Sequence, residues 1–368
     1  MKDHAKLASD LKQEFQAQLS GRSEKEITRF FRRAASFARK YASAHELAGA
    51  IYLVLDNSIL QAFKHRHTER GVDALAYVAF CRFARDWSDR PTHLALTPMA
   101  IYEHLGKRAV RDTQEADRVV RELVQLLADT ELKTATIGFS RSSSLVSLTK
   151  AIRSDDAYLT KFIRKIDGAN WQTDLQASFG VKIPLSVASR AINNRFRLKY
   201  FHPWYVQFVL SSRIENHIIK QSRHQPGIIP ISSGPMSEAM ADMNAFSKRS
   251  GLLQGLGDID MLQHCDINSQ YQQRLPYVKL GQTLDGNLTK VLRFRHGYYE
   301  SASVFLGHPG QEQQIEKMVS MLVKRPFAEL EERGAPVRHA FMEFAAALVT
   351  LCESCQPKAS VASGAVSG

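Results

Sequence analysis

Ile51-Tyr-Leu-Val-Leu55 is a continuous apolar run of β-branched and aromatic character, stopped by Asp56-Asn57-Ser58. A strand that is apolar at every position must be covered on both faces, which is the situation of a parallel sheet with helices on either side. His93-Leu-Ala-Leu96 and Tyr277-Val-Lys-Leu-Gly-Gln282 have the same strand character. Helical spacings fill the intervals: Ile27, Phe30, Phe31, Ala34 and Phe37, then Val72, Leu75, Ala76, Ala79, Phe80 and Phe83, then Val119, Val120, Leu123, Leu126 and Leu127. Thr97 and Pro98 read as an N-cap and first helical residue. The expectation is an α/β fold in which a small parallel sheet is flanked by helices, with a mostly helical insertion and added terminal helices.

Composition narrows the class. With 368 residues, 44% hydrophobic and 23% charged, the chain can bury a large core and is neither disordered nor collagenous. Its 4 cysteines, at positions 81, 265, 352 and 355, are too few for a stapled secreted scaffold. No segment resembles a signal peptide and no apolar run approaches a membrane span, so the expectation is a soluble, cytoplasmic protein with no membrane partner.

Broken periodicity suggests the organisation. Residues 1–47 read as an N-terminal helical extension, 48–128 and 252–296 as two parts of one core, 129–251 as a basic, mostly helical insertion, 297–356 as C-terminal helices and 357–368 as a disordered tail. The formal net charge is +12, and 14 Lys+Arg against 5 Asp+Glu fall between Arg141 and Arg223. Charge gathered in that way suits an anionic polymer, because neutralising phosphates releases condensed counterions. Within it, Arg195-Phe-Arg197-Leu-Lys199-Tyr200-Phe-His-Pro-Trp204-Tyr interleaves cations with rings. That pattern fits a single nucleic-acid strand, with Tyr200 and Trp204 as stacking faces, and it equally fits a segment with a basic side and an aromatic core side.

Carboxylates sit where strands end or following helices begin: Asp56, Glu103, the pair Asp258 and Asp260, and Asp285. In a parallel sheet the carboxyl ends of strands share one edge, where side chains distant in sequence meet. Carboxylates gathered there repel unless neutralised, and hard divalent cations such as Mg²⁺ or Mn²⁺ are the usual partners. Singly, Asp56 also reads as a strand-ending turn, Glu103 as an exposed helix carboxylate, and Asp285 as part of an Asp-Gly-Asn turn.

Asp56-Asn57-Ser58, Glu103, Asp260-Met-Leu262 and Thr283-Leu-Asp285 stand in the order and local context of the PIN-domain nucleases, which this chain resembles over about 48–128 and 252–296. The resemblance implies a metal-dependent nuclease in which these carboxylates hold the ions, RNA being favoured over DNA, and it is compatible with a toxin or defence effector, an inhibitory protein partner or a homo-oligomer. The spacing of 157 positions from Glu103 to Asp260 exceeds the compact pattern. The family pattern prefers Asp260 as the third ligand, since Met261, Leu262 and Cys265 follow it, and leaves Asp258 to cap the helix. The rival expectation is a non-catalytic nucleic-acid-binding protein with a degenerate core.

Other signals point nowhere. Cys352-Glu-Ser-Cys355 lacks a second CxxC or zinc-spaced His, Gly255-Leu-Gly257 is half of a dinucleotide fingerprint, His65-Arg-His67 lies among cations, and Ser142-Ser-Ser144 reads as a polar linker.

Overall fold

The computed structural model describes residues 13, 15–45, 49–68, 71–88, 90–167, 196–203, 205, 206, 209, 248–249, 252–253, 255–265 and 276–296. Their elements are α1 (Glu24–His45), β1 (Ala50–Leu55), α2 (Asn57–Lys64), α3 (Gly71–Trp87), β2 (Thr92–Leu96), α4 (Pro98–His104), α5 (Thr113–Leu126), β3 (Lys133–Thr136), α6 (Ser142–Asp167), β4 (Lys248–Arg249), β5 (Leu252–Leu253), α7 (Leu256–Cys265), β6 (Tyr277–Gln282) and α8 (Gly286–His296). Much of the proposed insertion, the C-terminal helices with Cys352 and Cys355, the tail, Arg195 and Trp204 lie outside the described residues.

Four strands form one parallel sheet in the order β3-β2-β1-β6, while β4 and β5 make a short antiparallel pair. The expected strands emerge at β1, β2 and β6. Residues of β1 alternate between two cores, as a doubly covered strand requires. Ile51, Leu53 and Leu55 join the core built from α1, α2, α3 and α5, and Val54 joins the one that includes Ile259, Met261 and Leu262 of α7 and Leu288, Val291 and Leu292 of α8. Gly281 of β6 lets α7 and α8 approach closely, since a methyl there would lie 2.8 Å from Met261 Sδ and 2.9 Å from Leu292 Cδ1.

Two boundaries differ from expectation. The sheet continues beyond residue 128, because β3 pairs with β2 from His93↔Lys133 to Leu96↔Thr136. Ser142-Ser-Ser144 opens the long helix α6 instead of forming a linker. The region 1–47 is also less separate than expected: Phe30, Ala34, Phe37 and Tyr41 of α1 are buried in the sheet's own core, with Phe37 edge-on to Tyr77 at 4.9 Å. Among the described residues no helix is long and apolar enough to cross a membrane.

One cation is caught in this packing. Lys40 of α1 donates to Thr289 Oγ1 of α8 at 3.1 Å, and burial, with the Arg33 charge second, pulls its ammonium down to about 8. Both folded and unfolded chains carry this proton below pH 8, so the desolvation cost is complete there; it disappears as pH rises from about 8 to 10.5, where only the unfolded chain is charged. Lys40→Met should therefore stabilise the protein at pH 7 by on the order of 2 kcal/mol, with the gain fading towards pH 10.5 in denaturant titrations.

Candidate acidic site at the sheet edge

In the order β3-β2-β1-β6 the chain moves outward from β1 to β2 and β3 on one side and places β6 on the other. The reversal between β1 and β6 is the topological switch point, and ligands of open α/β sheets bind outside the strand carboxyl ends there. Asp56 follows β1, and its N–H donates to Gln282 O of β6 at 2.9 Å. Its Oδ2 accepts Ser58 Oγ at 2.6 Å, Thr283 Oγ1 at 2.8 Å and Ser58 N–H at 3.3 Å. Ser58 Oγ also accepts Leu284 N–H at 2.9 Å, and Thr283 Oγ1 accepts Asp285 N–H at 3.0 Å. One hydroxyl pair thus ties the ends of β1 and β6 to the first turn of α2.

Asp56 caps α2, and Asp285 accepts the N–H groups of Asn287 and Leu288 at 2.7 and 3.0 Å at the start of α8. The turn and cap readings of both residues hold alongside their places at the site. Glu103 reaches the same edge from α4, where Thr97 and Pro98 stand as the expected cap and first residue. Its carboxylate lies over Gly257 and accepts that residue's N–H. A methyl on Gly257 would sit 2.6 Å from Glu103 Oε2, so the half-fingerprint glycine makes room for a carboxylate and not for a pyrophosphate.

The charges act on one another. Burial first, and then the Asp56 charge, push Glu103 up to about 8; Asp260 adds to the rise and Lys107 opposes it. Asp258 is raised well above the ordinary carboxylate range by burial and by Asp56, Glu103 and Asp285. Burial also raises Asp56 against the lowering effect of the Ser58 and Thr283 hydroxyls. Asp56, Glu103 and Asp258 retain partial exposure and Asp285 is exposed, so the group borders solvent. Among the described residues, however, no three His, Cys, Asp or Glu side chains stand close enough together, as they are, to hold a metal ion.

The expectation that Asp258 caps the helix is corrected. Asp258 is the third residue of α7, inside its first turn, and it faces the other carboxylates. Asp260 is buried, with Oδ1 taken by the Tyr200 hydroxyl at 2.6 Å and Oδ2 by Thr97 Oγ1 at 2.7 Å. Thr97 Oγ1 in turn accepts Ala100 N–H at 3.1 Å. Asp260 therefore fastens α7 to the start of α4 and to the 196–203 stretch.

That stretch lies in the basic-aromatic segment, and residues 196–202 are irregular backbone. Asp155 of α6 accepts the N–H groups of Lys199, Tyr200 and Phe201 at 2.8 to 3.1 Å. Phe196, Phe201 and Tyr205 are buried, and Tyr200 packs against the same core, while Arg197 and Lys199 are exposed. The rings pack and the cations face solvent, so Tyr200 is not an open stacking face.

Sequence reasoning missed Lys107. It follows Gly106 at the end of α4, both with positive φ, 64° and 71°. A lysine in this region carries a steric cost of roughly 1 to 2 kcal/mol, offset here by its N–H donating to Tyr102 O at 2.9 Å and by its ammonium donating to Leu253 O. The turn sets its charge where it lowers Glu103, Asp258 and Asp156. The only sequence signal was a glycine after a helix.

Comparison of the chain with protein-family profiles, curated proteins and solved structures gives no match.

Because Glu103 titrates near 8 when folded and near 4.5 otherwise, the folded state holds the extra proton between those values and stability falls as pH rises through them. Glu103→Gln should be neutral at pH 4 and stabilise the metal-free protein above pH 8 by roughly 2 to 4 kcal/mol. Melting curves in chelator across pH test this, and a gain that is the same at every pH would contradict it.

Proposed function

We propose that this chain is a metal-dependent nuclease with a PIN-like core, acting on nucleic acid and on RNA in preference to DNA. The observation that carries the reading is the convergence of Asp56, Glu103, Asp258 and Asp285 on the switch-point edge, where their charges act on one another. An all-oxygen donor set suits a hard divalent cation, and neutralising mutually repelling carboxylates is what such an ion would do. Asp56, Glu103, Asp258 and Asp285 would hold Mg²⁺ or Mn²⁺, directly or through water. When bound, such ions supply Lewis-acid stabilisation of the phosphate and an activated water.

The chain's own groups do the positioning. Ser58 and Thr283 orient Asp56, the Gly257 N–H holds Glu103, and Asp260 locks α7 against α4. Lys107 brings ammonium donors to the carboxylate edge, where a phosphate oxygen would need them. Arg197 and Lys199 offer exposed charge on a segment bonded to Asp155 and, through Tyr200, to Asp260.

A second reading, a non-catalytic nucleic-acid-binding protein with a degenerate core, is favoured by the spacing of the carboxylates, since no three stand at metal-holding distance as they are. Mg²⁺- or Mn²⁺-dependent cutting of labelled RNA separates the two. Asp56→Asn and Asp258→Asn should abolish cutting with Tm retained or raised, because each removes a ligand charge and some repulsion. Asp260→Ala should instead lower stability by about 1 to 3 kcal/mol, the cost of stranding the Thr97 and Tyr200 hydroxyls. Full activity in Asp258→Asn would return the ligand role to Asp260, and full activity in Asp56→Asn would end the nuclease reading.

A further inference from the structure

The segment leading from α4 into α5 carries a cluster that the acidic site does not use. Glu115, in the first turn of α5, has a side chain only 2% exposed and gathers three arginines around it. Arg108 donates from both terminal nitrogens at 2.9 and 3.1 Å, Arg111 from Nε at 3.1 Å and from its backbone N–H at 2.7 Å, and Arg118 Nη2 lies at 3.6 Å. Two carboxylate oxygens have about four lone-pair positions, and these contacts fill them.

The guanidiniums are not used up in the same way. Each has five N–H donors in a fixed fork, and the three side chains are 44%, 70% and 57% exposed. Among the described residues, Arg118 Nε also lies 3.8 Å from Glu122 Oε1. Asp112 is engaged in capping α5 through the Glu115 N–H. A helix cap needs one carboxylate and a backbone N–H; it has no need of three guanidiniums. A buried acid that holds exposed arginine forks in a fan, with more positive charge than it can cancel, is a frame for an anion, and planar forks match phosphate oxygens in pairs.

The fan also adjoins the acidic edge. Arg108 is the residue after Lys107, whose charge acts on Glu103 and Asp258, and the backbone between Arg108 and Arg111 is held where Val110 N–H donates to Thr149 Oγ1 of α6 at 3.1 Å. We propose that Arg108, Arg111 and Arg118, spread around Glu115, form a second anion subsite that takes backbone phosphates of a nucleic-acid strand lying across the acidic edge. The subsite rests on the nuclease reading for what happens to that strand, and not for its binding.

The test uses full-length protein in an Asp56→Asn background, so that substrate survives, and adds Arg111→Ala with Arg118→Ala. The paired Arg108–Glu115 contact remains to hold the fold. Anisotropy of a fluorescein-labelled single-stranded RNA is followed across a KCl series. The slope of log affinity against log salt should flatten by about 1.4, two lost contacts at about 0.7 each for a single strand. An unchanged slope overturns the subsite. If the alanine pair lowers Tm, the Arg111→Lys and Arg118→Lys pair takes its place: charge is kept and the fork lost, so the slope should hold while affinity falls several-fold, and unchanged affinity overturns the proposal. Poly-glutamate binding more tightly than RNA and losing more in the alanine variant would make the occupant an acidic protein and overturn it too. Wild-type protein that binds RNA through these arginines yet cuts none with Mg²⁺ or Mn²⁺ defeats the nuclease reading alone; cutting with no change of slope in the variant defeats the subsite alone.

Discussion

The acidic edge depends on one long-range pairing, the parallel register of β1 with β6 from Ala50↔Tyr277 to Leu55↔Gln282. It is cemented at its carboxyl end by the Thr283 hydroxyl on Asp56, a contact across 227 positions of sequence. Without it the sheet would have no reversal of strand order, and Asp285 would have no reason to lie near Asp56. Closing so long a loop costs entropy that grows only slowly with its length, so a long connection between β3 and β6 is tolerable provided the strand pairing itself is strong. That strength comes from the apolar cover on both faces of β1, which is also why its sequence stands out.

The same edge works against folding. Partly buried carboxylates facing one another raise each other's pKa, and the fold answers with local devices: two hydroxyls on Asp56, a backbone N–H on Glu103, and the Lys107 charge held in place by a left-handed turn. Each device lowers the cost of the group without removing it. An edge arranged in this way is poorly explained by stability, since apolar or amide side chains in the same places would fold at lower cost.

How legible this was in the sequence follows from where each signal resides. β1, β2 and β6 were readable because a strand covered on both faces is apolar throughout, whereas β3 is an edge strand of Lys133-Thr-Ala-Thr136, partly exposed and without an apolar run. Carboxylates at strand ends were readable by order alone. The different surroundings of Asp258 and Asp260 were not, because they come from Thr97 and Tyr200, hydroxyls 163 and 60 positions away that bond to Asp260. Gly257 was visible as a glycine, but its use, clearing space for Glu103, requires knowing what packs against it. Glu115 and its arginines share a helix start with ordinary capping chemistry, which conceals them in a one-dimensional reading.

The basic-aromatic stretch divides packing and exposed charge between different atoms. Its rings are spent on packing: Phe162 meets Phe196 edge-on at 5.3 Å, and Tyr200 meets Phe201 likewise at 5.1 Å. Its backbone is spent on Asp155, and the Tyr200 hydroxyl on Asp260. Among the described residues of the stretch, Arg197, Lys199 and His202 are exposed. If a nucleic-acid strand docks here as proposed, these charges would meet its phosphate backbone, which carries no base sequence. The Tyr200–Asp260–Thr97 chain of hydrogen bonds makes that segment and the start of α4, the helix that carries Glu103 near its other end, parts of one support.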